Sequence, residues 1–182
     1  MKRQLATALL RLTLLGIGLA AGPAAAGEGH GSDLFGGYSL AKIGDTARHG
    51  GSLALGFDLF GPLSGFVDTS AHWGSESGVN LSDLTLMAGP GLRFGGRGGT
   101  VFFVRVLAGL VQDKGSISIL DVEISETSRR LGILAGGGVD FRMNSSLAAR
   151  LSGDYLWNDV NEGKASGFRV SAGVVYRFGS SR

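Results

Sequence analysis

The sequence predicts an all-β fold, a closed eight-stranded antiparallel up-and-down transmembrane β-barrel. Three observations carry this. Apolar and polar residues alternate with period two over long stretches, as side chains do across a strand. No segment after the first thirty residues has the ~18 continuous apolar residues of a membrane helix. Connections alternate between short turns and longer polar loops, an asymmetry that bacterial membrane barrels show.

The alternation is clearest between residues 131 and 158. Leu131, Ile133, Ala135, Val139, Phe141 and Met143 fall on one face, against Gly132, Gly136, Gly138, Asp140 and Arg142. After Asn144-Ser145-Ser146 it resumes, with Leu147, Ala149, Leu151, Tyr155 and Trp157 opposing Arg150, Ser152, Asp154 and Asn158. Two long strands joined by a tight turn follow from this pattern.

The chain begins differently. Lys2, Arg3 and Arg11 precede or open an apolar run from Leu12 to Ala21, and Ala24-Ala25-Ala26 offers an A-x-A cleavage site. This reads as a signal peptide over 1–26, leaving a barrel domain over 27–182. A retained anchor is the rival, but the run is short and ends at Gly22-Pro23. Without 1–26 the chain holds 14 Lys+Arg against 15 Asp+Glu, a formal charge of −1. The basic balance of the whole chain belongs largely to its start, and no basic patch argues for nucleic acid. With no cysteine there is no disulfide framework or thiolate metal site. Glycine supplies 33 of 182 residues, far above the usual ~7 %, which suggests crowded strand interiors.

Eight strands are expected. The first, about 33–43, places Leu34, Tyr38 and Leu40 on one face. The second, about 51–60, sets Leu53, Leu55, Phe57 and Leu59 against Gly56 and Asp58. The third, about 65–73, sets Val67, Ala71 and Trp73 against Asp68, Ser70 and His72. The fourth, about 83–94, sets Leu84, Leu86, Ala88, Leu92 and Phe94 against Thr85, Gly89, Gly91 and Arg93. The fifth, about 100–112, sets Phe102, Val104, Val106, Ala108 and Leu110 against Arg105 and Gly109. The sixth and seventh are the pair described above. The eighth, about 166–178, sets Phe168, Val170, Ala172, Val174, Tyr176 and Phe178 against Arg169, Ser171, Gly173 and Arg177. Phe66, Phe103, Leu107 and Leu134 interrupt the polar face, and a tapered barrel would pack them inside.

Connections at 61–64, 95–99 and 144–146 are short. Those at 44–50, 74–82, 113–128 and 158–165 are longer and polar. On the apolar face, Phe94, Phe102, Phe141, Tyr176 and Phe178 lie near the short-turn end, and Trp73, Tyr155 and Trp157 near the other. Two aromatic belts at membrane interfaces are expected.

GGGVDFRMNSSLAARLSGDYLW, together with VDTSAH, LMAGPGLRF and the closing GVVYRFG, resembles the small outer-membrane β-barrel domain of the OmpA-like superfamily. The resemblance spans nearly all of residues 27–182. It implies a bacterial outer-membrane location, contact with outer-membrane lipid, and insertion by the outer-membrane assembly machinery, which reads a final strand ending in an aromatic. Tyr176 and Phe178 fit that signal, but Gly179-Ser180-Ser181-Arg182 follow.

The polar face gathers Asp58, Asp68, Arg93, Arg105, Asp140, Arg142, Arg150, Asp154, Arg169 and Arg177. Eight strands leave a lumen just wide enough for side chains. Opposite charges should therefore pair across it, with Asp140 and Asp154 facing Arg150 and Arg169 as leading candidates. The rival is a narrow pore lined by charge. Six arginines against four aspartates leave the pairing incomplete. Asp68, Ser70 and His72 contain the residue types of a triad, but i, i+2, i+4 spacing along a strand, ~6.6 Å per step, does not bring Ser to His. His30, His49 and His72 are too dispersed for a metal site, and Gly136-Gly137-Gly138 precedes no helix that would bind phosphate. No catalytic, cofactor or metal residue is expected. The function expected is structural or surface-interactive rather than enzymatic. The loop after the fifth strand, DKGSISILDVEISETS, contains Ile117, Ile119, Val122 and Ile124; it is read as a continuation of the hairpin beyond the membrane, either a plain extracellular ribbon or the candidate partner surface. A lipid-modifying barrel enzyme and a soluble ligand-binding barrel are further alternatives, and the latter would turn Leu53, Leu55, Phe57 and Leu59 inward.

Overall fold

In the computed structural model, residues 31–43, 46–76, 79–95, 99–119, 122–158 and 165–178 are described. Residues 1–26, read above as a signal segment, His30 and the last four residues lie outside them. Eight strands follow in chain order: β1 Ser32–Ile43, β2 Thr46–Phe60, β3 Leu63–Glu76, β4 Val79–Gly95, β5 Thr100–Ile119, β6 Val122–Arg142, β7 Leu147–Asn158 and β8 Ala165–Phe178. Each pairs antiparallel with its sequence neighbour, and β1 closes on β8 with Ser32 opposite Phe178. Closure leaves no free edge around the body of the barrel, so backbone polar groups find partners within the wall.

The hydrophobic alternation fixes which way each strand faces. Leu53, Phe57, Leu86, Phe102, Val106, Leu151, Phe168 and Val174 are exposed on the outside. Asp68, Arg105, Asp140, Asp154 and Arg169 are buried inside. A soluble barrel holding an apolar ligand would have these faces reversed, so that alternative is set aside. Phe66, Phe103, Leu107 and Leu134 are buried in the interior despite their apolar character, in one cluster with Met87, Val111 and Leu156. Phe35, Ala54, Ala148 and Val175 form a second, smaller cluster.

Both chain ends of the barrel and its short turns share one end. Gly61, at φ 56°, lets β2 turn into β3. At 144–146 the Asn144 carboxamide oxygen accepts from the amides of Ser146 and Leu147, at 2.9 and 2.8 Å, an Asx turn. The opposite end departs from expectation. Most of the residues read as long loops continue the ladders instead: Ile43 pairs with Thr46, Glu76 with Val79, and Ile119 with Val122. A polar sequence does not end an antiparallel ladder when only two residues are needed to close the hairpin. The β5–β6 pair is longest, at 20 and 21 residues. At ~3.4 Å per residue this exceeds what a hydrocarbon layer ~30 Å thick needs.

Leu86 sits on the outside, half exposed, about midway along β4. Leu86→Arg should destabilise the barrel in bilayers by about 2–4 kcal/mol, whereas Ser145→Arg in the exposed turn should be neutral. Urea titration of vesicle-inserted protein, read by heat-modifiable gel mobility, distinguishes them. Equal tolerance would mean that the outer face does not contact hydrocarbon.

Candidate functional site: the charged lumen

The interior is organised in three tiers. At the end bearing the termini, Arg93 lies 2.7 Å from Asp33 and 3.1 Å from Asp58. Arg150 grips Asp140 with Nε and Nη2 at 2.7 and 2.9 Å, a bidentate geometry that adds strength and direction. Its Nη2 is also 3.6 Å from Asp33, and Arg177 reaches Asp140 at 3.2 Å.

The middle tier is a closed ring of alternating charge. Arg169 donates to Asp68 at 2.7 and 3.1 Å and to Asp154 at 2.8 and 3.1 Å. Arg105 donates to Asp154 from Nε and Nη2 at 3.0–3.2 Å, and its Nη1 is 3.1 Å from Asp68. The four residues come from β3, β5, β7 and β8, and all are at most 5 % exposed. Each charge therefore has two opposite neighbours, the condition under which buried ions persist.

Between these tiers lies an aromatic shelf. Phe66 and Phe103 sit with ring centroids 5.8 Å apart. Arg93 lies over Phe66 at 4.9 Å and Arg150 over Phe103 at 4.6 Å, while Arg105 approaches both at 5.9 and 5.6 Å. A weakly hydrated guanidinium is well suited to a ring face. Glycines give the space: an added Cβ at Gly138 would meet Phe103 at 2.7 Å, and one at Gly136 would strike the Asp154 carboxylate.

The third tier crosses the opposite end as a hydrogen-bonded belt. Ser171 Oγ donates to Ser39 Oγ at 3.0 Å. Ser39 Oγ is 2.9 Å from His72 Nε2, and His72 Nδ1 is 2.9 Å from Asp83. Asp83 accepts from Arg48 at 3.1 Å, and Arg48 lies 3.7 Å from Asp113. His72 reaches from β3 to β1 across Gly50 of β2, where a Cβ would collide with the Ala71 carbonyl and lie 2.7 Å from the His72 Cα. Asp68, Ser70 and His72 do not act together. Asp68 belongs to the ring, Ser70 bonds Thr85 Oγ1 at 2.7 Å, and His72 turns to Asp83. Ser39, His72 and Asp83 instead have the connectivity of a nucleophile, base and orienting acid. All three are at most 3 % exposed, with Ser39 fully enclosed. The neighbouring void, lined in part by Ser70, His72, Thr85 and Arg169, is about 10 Å³, room for about one water.

Of the residues expected in the lumen, Asp58, Asp68, Arg93, Arg105, Asp140, Arg150, Asp154, Arg169 and Arg177 make ion pairs. Arg142 is the exception. It is the last residue of β6, is exposed, and makes no ion pair among the described residues. Asp33 was missed by the sequence reading and supplies the carboxylate that Arg93 and Arg150 share. With Arg142 out and Asp33 in, five arginines meet five aspartates over the first two tiers. Arg48, Asp83, Asp113 and Ser39 were also missed. His49 is exposed on the outer face and His72 is buried in the belt, and no metal-binding cluster occurs among the described residues.

The sequence matches the outer membrane protein beta-barrel domain family over residues 12–178. No curated protein matches it. Among solved structures, it is similar to Ail, the attachment invasion locus protein of Yersinia pestis, at 17 % identity and TM-score 0.61 over 82 % of this chain and 99 % of that one. Neisserial surface protein A gives 17 % and 0.58 over 83 % and 98 %. A major outer membrane protein of Thermus thermophilus gives 12 % and 0.62 over 81 % and 99 %.

Asp154→Ala would leave Arg105 and Arg169 each without one partner, at a cost of about 3–5 kcal/mol for a dry site. Adding Arg169→Gln should recover part of that loss. A double-mutant cycle on the folded barrel measures it, and strictly additive losses would show that the ring is not an energetic unit. With its alternating faces, closed eight-strand ring and family match, the chain belongs to the outer membrane protein beta-barrel domain family.

Proposed function

We propose that this chain is an exported barrel of the bacterial outer membrane whose lumen is sealed and whose work is structural or done at its surface. The observation that carries this reading is the four-residue charge ring, which ties β3, β5, β7 and β8 together across the lumen with every charge buried and paired twice. In this reading residues 1–26 are removed on export. The end with termini and short turns faces the periplasm, and the extended hairpins face outward. The outer face contacts lipid, and the assembly machinery inserts the chain by its final strand, where Tyr176 and Phe178 face lipid. The β5–β6 ribbon, rising beyond the other walls, is the candidate surface for a partner.

We also propose that it is not an enzyme. The relay Ser39–His72–Asp83 links strands β1, β3 and β4 and holds the mouth closed. Its Ser39 hydroxyl is fully enclosed, and the β1 strand that carries it is paired on both sides.

Cell fractionation should recover the protein in the outer membrane, with Gly27 as its first residue on N-terminal sequencing; recovery in the soluble periplasm would defeat the membrane reading. In planar bilayers the protein should give no steady current, and a fluorophosphonate should leave Ser39 unlabelled unless the barrel is unfolded. Steady conductance would favour the narrow pore instead, and labelling abolished by His72→Ala would favour a hydrolase.

A further inference from the structure

The belt at the mouth is a one-way relay, and its direction depends on an uncharged His72. The Asp83 carboxylate only accepts, so the His72 nitrogen 2.9 Å from it, Nδ1, carries the hydrogen of that bond. Nε2 is then the lone-pair nitrogen, and it accepts from the Ser39 hydroxyl at 2.9 Å. The Ser39 oxygen accepts in turn from Ser171 at 3.0 Å. Arg48 closes the far end by donating to the other Asp83 oxygen at 3.1 Å. Donors and acceptors thus match one to one from β8 through β1, β3 and β4 to β2. Ser171, Ser39, His72 and Asp83 are all at most 3 % exposed.

A proton added at Nε2 breaks this match. The charged ring donates from both nitrogens, so Nε2 aims a hydrogen at an oxygen that already accepts from Ser171. The Ser39 hydrogen loses its acceptor in a fully enclosed place, and a stranded buried hydroxyl is costly. The Asp83 side responds the other way, because a hydrogen bond between two ions is the stronger kind. The void of about 10 Å³ beside the ring is also lined by Ser70 and Thr85, so a water there can take the new N–H. Among the described residues, the charged groups facing the ring are Asp83 on β4, Arg48 on β2 and Arg169 on β8. Arg169 is committed to Asp68 of β3 and Asp154 of β7. Asp113 on β5 lies 3.7 Å behind Arg48 and near Arg130 of β6. Lys42 of β1 and His49 of β2 are exposed on the outer face. Two arginines therefore already balance Asp83 and Asp113, and a charge on His72 is surplus at the mouth. From this geometry we propose that His72 is an acid-sensitive latch. Uncharged, it ties β1 to β3 and β4 across the intervening β2. Charged, it keeps Asp83 and releases Ser39, so β1 loosens from Ser39 to Ile43 while the middle ring stays shut. Resting on the sealed, outward-facing barrel proposed above, the latch reads the acidity of the external medium.

The test is amide exchange of the mature barrel, folded in zwitterionic micelles, at about pH 8 and about pH 5, the range over which histidine changes charge. Rates are expressed as protection factors, so that the intrinsic pH dependence of exchange drops out. Amides from Ser39 to Ile43 should lose protection roughly fivefold or more in acid, the scale of one buried hydrogen bond. Those of Arg105 and Asp154 should hold. His72→Gln, which offers a donor and an acceptor at either pH, should keep β1 protected in acid. Ser39→Ala should leave β1 loose at both values. His49→Gln, on the outside of the neighbouring strand, should respond as the parent does. Carbon-13 shifts of the His72 ring, followed alongside, should move within the same range. A ring that does not titrate, equal β1 protection in the parent at both values, or a His72→Gln variant that still loosens would overturn the latch. If His72→Gln does not fold, Ser39→Ala and the ring shifts decide. Current across planar bilayers is recorded at both values. Steady current at either one defeats the sealed lumen itself, whereas a silent barrel without the β1 response defeats only the latch.

Discussion

A buried guanidinium cannot shed its charge, and that constraint shapes the interior. Arginine stays protonated under any ordinary condition, so Arg105, Arg150 and Arg169 had to be given carboxylates or kept wet. An eight-stranded barrel has too little room for bulk water. The solution is the ring, in which Asp68 and Asp154 are each shared by the same two arginines. The rest of the interior accommodates this arrangement. Glycines on the inner face clear volume for the long side chains, and Phe66 and Phe103 separate the ring from the charges below it. The outer face, relieved of any polar duty over most of its height, is left to leucine, valine and aromatics.

The fold was largely legible because period two is a strong signal when both faces are demanding. Lipid permits almost no charge outside, and a narrow lumen permits almost no unpaired charge inside. Each strand was therefore marked from both sides, and even the apolar intruders Phe66, Phe103, Leu107 and Leu134 were correctly given to the interior. What sequence could not show was strand length. Polar residues beyond the membrane carry little alternation that tells a ribbon from a loop; only between the fifth and sixth strands did Ile117, Ile119, Val122 and Ile124 hint at the ribbon that the ladder through Ile119 and Val122 forms.

The site was legible as a set of residues more than as a set of contacts. Alternation put the arginines inside but could not say that Arg169 reaches Asp68, its neighbour across two intervening strands, as readily as Asp154 on the adjacent one. Asp33 was overlooked although it lies two residues from Phe35 on the same face. The first strand was read from its apolar residues alone, and extending the inner-face rule to it would have found both Asp33 and Ser39. Arg142 was placed inside because its parity is right. Parity fixes a face but not a depth, and the last residue of a strand lies at the water.

The ring has a consequence for how the barrel comes to exist. Arg169 and Asp68 are 101 residues apart in sequence, and they cannot meet while the sheet is open between β8 and β1. Until that seam joins, Arg169 and Asp68 each lack one of their two partners and must be hydrated there. Closing the sheet and drying the lumen are thus a single, late, non-local event, with the slow kinetics that long loop closure imposes. A nearly finished sheet is held in a wet, open form, and water leaves only when the first and last strands pair.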